Sequence, residues 1–212
     1  ILLGVRPQDW DICTSALPEQ VLDVFPGSRP TGIKHGTVTV VIGSRSAEVT
    51  TFRSEGDYAD HRHPSSVAFV GDLTTDLMRR DFTMNAMAVS ADGLIIDPYG
   101  GAEDIRRGCI RCVGAPEKRF DEDALRMLRA FRFSSRLGFE IEPATLAAIG
   151  KKAPLAAGLA AERVSAEVEK ILLTARPETL HTVISLGLID KYLDRRIAPE
   201  EEQLHRIAAL PK

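Results

Sequence analysis

The spacing of apolar residues changes near the middle of the sequence, and this change is the strongest constraint on its fold. In the first half, residues 35–42 and 47–53 are β-branched runs of strand length, which predict strands. In the second half, Leu125, Leu128 and Phe131 lie three residues apart, which predicts an amphipathic helix. Strands followed by helices predict an α+β protein, or a mixed domain followed by a helical one.

Turn residues divide the first half into shorter elements. Residues 43–46 separate the two β-branched runs, and Asp92-Gly93 separates two further short runs, so both places predict hairpins. Pro18 marks the start of a predicted helix that ends before Pro26-Gly27. The polar stretch over residues 54–66 predicts a loop.

The second half predicts four helices. The first covers residues 121–137, the second starts at Glu142-Pro143, the third carries an apolar stripe over residues 164–172, and the fourth covers residues 178–189. Between the two halves, residues 97–101 have the composition of a turn.

Composition excludes some classes of protein and leaves others open. The chain is 44% hydrophobic, which is enough for a packed core, and no apolar run approaches the roughly eighteen residues of a membrane span. The net charge is −3, yet residues 106–136 hold nine Lys and Arg against four Asp and Glu, a band that can bind phosphates. Three cysteines, an odd number, fit a reducing compartment, so we expect a cytoplasmic protein.

Two carboxylates near the start of the chain are candidate metal ligands. Asp9 and Asp11 are two residues apart on a predicted strand, so both point to one face, and hard oxygen ligands of this kind suit Mg²⁺. Glu48 lies near the start of the second hairpin strand, where strand pairing would add a third carboxylate. Three converging carboxylates can support nucleotidyl transfer with two Mg²⁺ ions, although Asp-x-Asp alone more often lies on a solvated strand face.

Six segments in chain order resemble one family. They are residues 4–16, 48–53, 79–86, 97–101, 122–129 and 163–170. In this order they resemble the motifs of class II tRNA nucleotidyltransferases and bacterial poly(A) polymerases: the first carboxylates, the third carboxylate, the sugar-selecting motif, the hinge, the nucleotide-template helix and the last conserved motif.

The resemblance implies a fold and a division into domains. We expect a DNA polymerase beta-type nucleotidyltransferase head over residues 1–113, a small mixed sheet with helices. An all-helical neck over residues 114–172 and the start of a helical body over residues 173–212 would follow. Family members carry a Gly-Gly loop before the Leu-Leu-Gly that is residues 2–4 here, and a longer body and tail. Neither is in this sequence, so we expect it to be part of a longer protein.

The resemblance also implies roles for individual residues. Asp9 and Asp11 would bind Mg²⁺ and, with Glu48, form the catalytic group. The residues implied to bind the nucleotide are Arg80, Asp81, Asn85, Asp123, Arg126, Arg129 and Arg132. The residues implied to bind RNA or phosphate are Arg79, Arg119 and Arg163.

The chemistry of Asp123 and Arg126 suggests base selection independently. Three apart on a predicted helix, they would share a face, with a carboxylate to accept from the exocyclic amine of C or A and a guanidinium to donate to the ring nitrogen. G and U present the opposite order of hydrogen-bond donor and acceptor on this edge. The plain alternative is an ordinary ion pair, and ion pairing is the role we expect for Arg163, Glu167 and Lys170 on their helix. For the segment from Arg79 to Asn85, a surface salt-bridge cluster would be favoured if that segment stood alone.

A pair of cysteines and a pair of histidines have the spacing of possible metal ligands, but we assign neither pair a function. Cys109 and Cys112 have the spacing of zinc ligands, but no second such pair exists in the sequence, which favours two ordinary thiols. His61 and His63 lie in the predicted loop and are interpreted as solvated.

The expected function is Mg²⁺-dependent, template-independent addition of C and A to the 3′ end of tRNA, from CTP and ATP, with release of pyrophosphate. Addition of A alone, or poly(A) synthesis, shares every motif quoted. A binding module without catalysis is the alternative from another class, and the carboxylates at Asp9, Asp11 and Glu48 argue against it. The intact loop over residues 53–62 argues against an enzyme that adds only C. No protein partner and no membrane contact are indicated.

Overall fold

The computed structural model describes residues 2–5, 7, 10–56, 58, 65–193 and 201–208. Within these the chain divides into two compact units, one up to Arg80 and the other from Asp81. The strands are β1 Asp11–Thr14, β2 Arg29–Gly32, β3 Thr37–Ile42, β4 Arg45–Thr51, β5 Arg53–Glu55, β6 Val67–Phe69, β7 Ala88–Val89, β8 Ile95–Ile96, β9 Cys109–Ile110 and β10 Glu140–Ile141. The α-helices are α1 Pro18–Val24, α2 Leu73–Met78, α3 Gly101–Arg107, α4 Pro116–Glu122, α5 Leu125–Leu137, α6 Pro143–Lys152, α7 Ala161–Leu172, α8 Thr179–Ser185 and α9 Glu201–Ala208.

The first unit contains a four-stranded mixed sheet in the order β1-β4-β3-β2. The predicted hairpin of β3 and β4 is confirmed, with Val38 opposite Val49 in antiparallel register. Its turn uses Gly43 at φ 61°, a left-handed conformation that favours glycine. β1 lies parallel to β4, so the strand that carries Asp11 is an edge of this sheet.

The two faces of this sheet differ in chemistry. One face is apolar and buried: it consists of Val38, Val40 and Val49, which pack with Val21 of α1. The helix predicted to start at Pro18 thus packs on this face. That apolar face continues into an open groove of about 920 Å³ between α1 and the strands. Because side chains alternate along a strand, Asp11 lies on the opposite face.

The predicted loop over residues 54–66 begins within β5 and ends just before β6. β5 pairs with β6 in antiparallel register, with Ser54 opposite Ala68. His61 and His63 lie outside the described residues, so nothing here bears on their interpretation.

The second unit has a helical core, as predicted. Helix α5 packs against α7 and α8, and α4 packs against α6. The largest side chains that this core buries are Phe82, Ile110, Phe120, Met127, Leu128, Ile149, Ile171, Leu188 and Leu204. The predicted hairpin at Asp92-Gly93 is confirmed by the pairing of β7 with β8. Together with the mixed sheet of the first unit, this confirms the α+β class.

The single helix predicted over residues 121–137 is wrong at its start. Helix α4 ends at Glu122, Asp123 is extended with φ −146° and ψ 105°, and α5 begins at Leu125. The carboxylate of Asp123 accepts the backbone N–H of Leu125 at 3.1 Å. An Asp side chain that bonds to nearby backbone competes with the helix, so the helix breaks there.

Helix α3 follows the predicted turn at once and was not predicted. The carboxylate of Asp97 accepts the N–H groups of Gly101 at 2.7 Å and Ala102 at 2.9 Å. These bonds satisfy donors that the first turn of a helix leaves open. The glycines that suggested only a turn therefore begin a helix.

The compact units and the expected domains have different bounds. The packing divides the chain after Arg80, whereas the expected head extends to Val113, so the head, neck and body bounds stay predictions. Among the described residues, no helix is long and apolar enough to cross a membrane.

Candidate functional site

The first unit places two of the three predicted carboxylates side by side. Asp11 of β1 and Glu48 of β4 are register partners, on neighbouring strands that lie about 4.8 Å apart. Both residues are exposed. The predicted pairing of Glu48 with the strand of Asp11 is thus confirmed, while Asp9 lies outside the described residues. Exposed carboxylates in adjacent strands are suitable ligands for a hard divalent cation.

A positive charge acts on the strand that carries Asp11. Cys13 follows Asp11 by two residues on β1; burial raises the pKa of its thiol, and the nearby charge of Arg80 opposes that rise. Arg80 in turn lies 3.6 Å from a carboxylate oxygen of Asp76. A guanidinium therefore lies near β1.

Two carboxylates that were not predicted from the sequence, the buried Asp76 and the half-buried Glu55, bind Arg53 and Arg79. Asp76 is 2% exposed and binds Arg79 at 2.9 Å, and it accepts the backbone N–H of Arg53 at 3.1 Å. Glu55 binds Arg79 at 3.0 Å and Arg53 at 3.0 Å. Burial alone would raise the pKa of Glu55, but the hydrogen bond from Tyr58 and the charges of Arg79 and Arg53 hold it below its ordinary value.

These contacts change the interpretation of Arg79. It is predicted to bind RNA or phosphate, and the structure places it between two carboxylates of its own unit. The spacing of Asp76 three residues before Arg79 is a signal for that pair. The partner at Glu55 lies 24 residues away, where no local pattern indicates it.

In the second unit, three predicted nucleotide-binding residues form one cluster. The carboxylate of Asp81 accepts from Arg129 Nε at 2.7 Å and from Asn85 Nδ2 at 3.1 Å. It also accepts the backbone N–H of Phe82 at 2.8 Å. Burial alone would raise the pKa of Asp81, but the Arg129 guanidinium and these hydrogen bonds keep it below its ordinary value. Asp81 is therefore a charged, oriented acceptor that fixes the amide of Asn85.

The turn that carries Asn85 is held by the start of α3. Gly101 packs so closely that a Cβ there would lie 2.2 Å from the carbonyl oxygen of Thr83, and only glycine permits this approach. Thr83 Oγ1 donates to the buried Asp104 at 2.5 Å, and Arg111 Nε donates to the same carboxylate at 3.0 Å. The segment predicted as a hinge thus positions the predicted sugar-selecting turn.

Asp123 and Arg126 do not share a helix face as predicted, because Asp123 lies in the extended break before α5. Each has its own partner. Arg163 binds Asp123 with both terminal nitrogens, at 3.2 and 2.8 Å. Arg126 binds Glu122 at 2.6 Å, and Glu122 also pairs with the buried Arg119. The backbone N–H of Arg126 donates to the carbonyl of Asp123 at 3.0 Å, which keeps the two residues adjacent.

Of the three residues predicted to form ion pairs on one helix face, Glu167 and Lys170 pair with each other, whereas Arg163 pairs with Asp123 instead. Arg163 joins α7 to Asp123, as above. The buried Glu167 forms an ion pair with Arg132 at 2.8 Å and accepts a hydrogen bond from Lys170 at 3.5 Å. The Arg132 guanidinium also stacks 4.1 Å from the centroid of the Phe133 ring. These contacts tie α7 to α5 and hold Arg132 in place.

Cys112 is placed as a structural thiol. It is 1% exposed, its backbone N–H donates to Thr145 Oγ1 at 3.3 Å, and burial raises the pKa of its thiol to about 12. Because the thiolate is the reactive form, we expect Cys112 to stay unmodified by iodoacetamide in the native protein at pH 8. Peptide mass spectrometry would measure this, with the urea-denatured protein as control. Modification of Cys112 as fast as that of Cys109 would show that this core opens.

Two protein families match the chain over separate segments. Residues 1–111 match the family described as the poly A polymerase head domain. Residues 138–194 match the family described as a probable RNA and SrmB-binding site of polymerase A.

Several curated relatives of the chain are CCA-adding enzymes. That of Geobacillus stearothermophilus is 52% identical over 212 residues, which are 99% of this chain and 52% of the relative. That of Lactiplantibacillus plantarum is 44% identical over 99% of this chain and 51% of the relative. The chain thus spans about half the length of the curated relatives it matches.

The structural likeness covers both units. The structure of the Bacillus stearothermophilus CCA-adding enzyme in complex with CTP has a TM-score of 0.81 at 49% identity, covering 98% of this chain and 50% of that one. The Thermotoga maritima CCA-adding enzyme complexed with tRNA-CCA has a TM-score of 0.72 at 27% identity, covering 92% of this chain and 47% of that one. The expected fold, a polymerase beta-type head with a mixed sheet followed by helices, is confirmed, and the chain belongs to the poly A polymerase head domain family.

Proposed function

We propose that this chain belongs to an enzyme that adds C and A to the 3′ end of tRNA. The reaction is template-independent, takes nucleotidyl groups from CTP and ATP, and releases pyrophosphate. The observation that carries the proposal is the register pairing of Asp11 with Glu48 within a family head domain. The relatives named CCA-adding enzymes, at about half sequence identity, support the tRNA substrate over poly(A) synthesis.

Membership of this nucleotidyltransferase family implies a divalent metal ion, and we propose Mg²⁺. The residues fit such an ion, since Asp11 and Glu48 offer exposed carboxylate oxygens on adjacent strands and Mg²⁺ prefers oxygen ligands. Asp9 and Asp11 would hold it. When bound, it would supply charge neutralisation at the phosphates and lower the pKa of the attacking hydroxyl.

The chain's own residues would bind and orient the substrates. Glu48 is proposed to position the attacking 3′ hydroxyl of the RNA beside Asp11. Arg80, whose positive charge acts on Cys13 of β1, would bind phosphate or the ribose. Asp123 and Arg126 are proposed to read the base. The roles proposed for Arg79, Arg119 and Arg163 in RNA or phosphate binding would require each to share its present carboxylate partner with the ligand.

Asn85 and Asp81 are proposed to select ribose, and we expect Asn85→Ala to lower the ratio of ATP to dATP incorporation. A site built to pair with a hydroxyl discriminates against its absence because its own polar groups stay unpaired. The loss should be about tenfold or more, as measured by competing ATP and dATP on a tRNA ending in CC.

Gln20→Ala, which removes a side-chain amide from the first unit, is the control and should keep the ratio. Asp81→Ala should lower it too. An unchanged ratio in both site variants would mean that the sugar is recognised elsewhere.

The test of the proposed function uses three tRNA transcripts, ending before C, after one C and after CC. Each is incubated with Mg²⁺ and with labelled CTP or ATP separately. We expect C on the first two and A only on the third. Addition of A alone would indicate an A-adding enzyme, and repeated A addition a poly(A) polymerase. No incorporation at all, with RNA binding kept, would favour a binding module.

We also propose a cytoplasmic location. It rests on the odd number of cysteines, since Cys13, Cys109 and Cys112 are all free thiols, and on the tRNA substrate of the proposed reaction.

A further inference from the structure

A small basic pocket lies between the end of α5 and the end of α7 in the second unit. Its volume is about 270 Å³, and its lining residues are Arg132, Arg136, Lys170, Leu173, Thr174 and Ala175. Three of these side chains are cationic and one carries a hydroxyl group, while Leu173 and Ala175 are apolar. Apart from Arg132, none of these lining residues belongs to the predicted site.

The pocket holds more positive charge than the neighbouring carboxylate neutralises. Glu167 pairs with Arg132 at 2.8 Å and with Lys170 at 3.5 Å. Arg136 forms no ion pair within the described part of the chain. Two of the three cations, Arg136 and Lys170, are exposed, so their guanidinium and ammonium groups can reach a ligand without opening the core.

The effect of this crowding appears at Arg132. Burial is the largest cause that lowers its pKa, and the like charges of Arg129 and Arg136 lower it further, while Glu167 and Asp81 oppose the shift. An anion in the pocket would relieve this repulsion, because it adds the negative charge that the cluster lacks.

We propose that this pocket binds a backbone phosphate of the RNA substrate. The inference rests on the proposed function and extends it from the reactive end of the RNA to its backbone. Arg136 lies ten residues after Arg126 on α5, which corresponds to about 15 Å along the helix. The exposed cations at the rim suit a polymer that crosses the surface.

Removal of the two exposed cations tests the proposal. In the double variant Arg136→Ala/Lys170→Ala, we expect tRNA affinity in filter binding to fall about tenfold near 0.15 M salt, and the slope of log K against log salt to become shallower by about one to two. The affinity for CTP should stay unchanged. The double variant Arg29→Ala/Lys34→Ala, which removes one exposed arginine and one exposed lysine from the first unit, is the matched control and should bind tRNA as the parent protein does. Thermal unfolding checks that each variant folds.

The outcomes separate the sources of phosphate. Unchanged tRNA affinity and salt slope in the double variant would overturn the proposal. A loss of CTP affinity equal to the loss of tRNA affinity would assign the pocket to a triphosphate and overturn it as well. If the parent protein binds tRNA but adds neither C nor A, the proposed function is wrong, and the effect of the double variant on tRNA affinity still tests the pocket. If the parent protein binds no tRNA, both proposals are wrong.

Discussion

Asp11→Ala should lower the rate of nucleotide addition by about a thousandfold or more, because metal-assisted transfer depends on the carboxylates that hold the ion. Asp11 is exposed and lies on an edge strand, so its truncation opens no cavity in the core and the fold should survive. The measurement is single-turnover incorporation of ATP into a tRNA ending in CC. Asp9→Ala should behave in the same way, and tRNA affinity should change little in both.

The matched control is Asp23→Ala. Asp23 is an exposed carboxylate on α1 in the same unit, and α1 packs on the apolar face of the sheet. The control removes the same charge and should keep the full rate. Near-normal turnover by Asp11→Ala would contradict the assignment of the site.

Glu48 gives a second reading of the same site. Glu48 is the register partner of Asp11. The substitution Glu48→Gln keeps the size of the side chain and removes only its charge. If Glu48 positions the attacking hydroxyl, this variant should lose rate at saturating nucleotide while its dependence on Mg²⁺ concentration stays close to that of the parent. A shift in the Mg²⁺ dependence would instead make Glu48 a metal ligand.

Much of the first unit could be predicted because its signals are local. The glycine turn at Gly43 lies between two β-branched runs, which predicts both the hairpin and its antiparallel register. The parallel pairing of β1 with β4 has no local signal, since the two strands are about thirty residues apart in sequence. The placement of Glu48 beside the strand of Asp11 was expected from strand pairing and agrees with the resemblance of residues 48–53 to the third-carboxylate motif, but the parallel direction was not predicted.

The second unit shows where spacing fails as a guide. The acidic and apolar residues around Asp123 have the pattern of one continuous helix, yet the carboxylate of Asp123 bonds to Leu125 and to Arg163. Arg163 is 40 residues away in sequence, so nothing near Asp123 indicates that the helix breaks. The same is true of Arg129, which pairs with Asp81 from 48 residues away.

Arg126→Ala should weaken the choice of C and A over U and G, and this is the sharpest test of a protein template. The guanidinium of Arg126 is held by Glu122 at 2.6 Å, and the carboxylate of Asp123 by Arg163 at 2.8 Å. Each partner fixes the orientation of a group that could pair with a base edge. Loss of one such contact costs about 1–3 kcal/mol of discrimination, which corresponds to about fivefold to more than a hundredfold in selectivity.

The measurement compares incorporation of CTP, ATP, UTP and GTP by the parent and the variant at equal Mg²⁺. Arg126→Lys should fail to restore selectivity, because an ammonium lacks the planar, fixed donors of a guanidinium. Arg107→Ala, on the exposed face of α3, is the control for loss of charge alone. The side chain of Arg126 is largely buried, so unfolding must be measured in parallel. If the folded fraction of Arg126→Ala keeps the full preference for C and A, then the contact with Glu122 is an ordinary ion pair and the base is recognised by other groups.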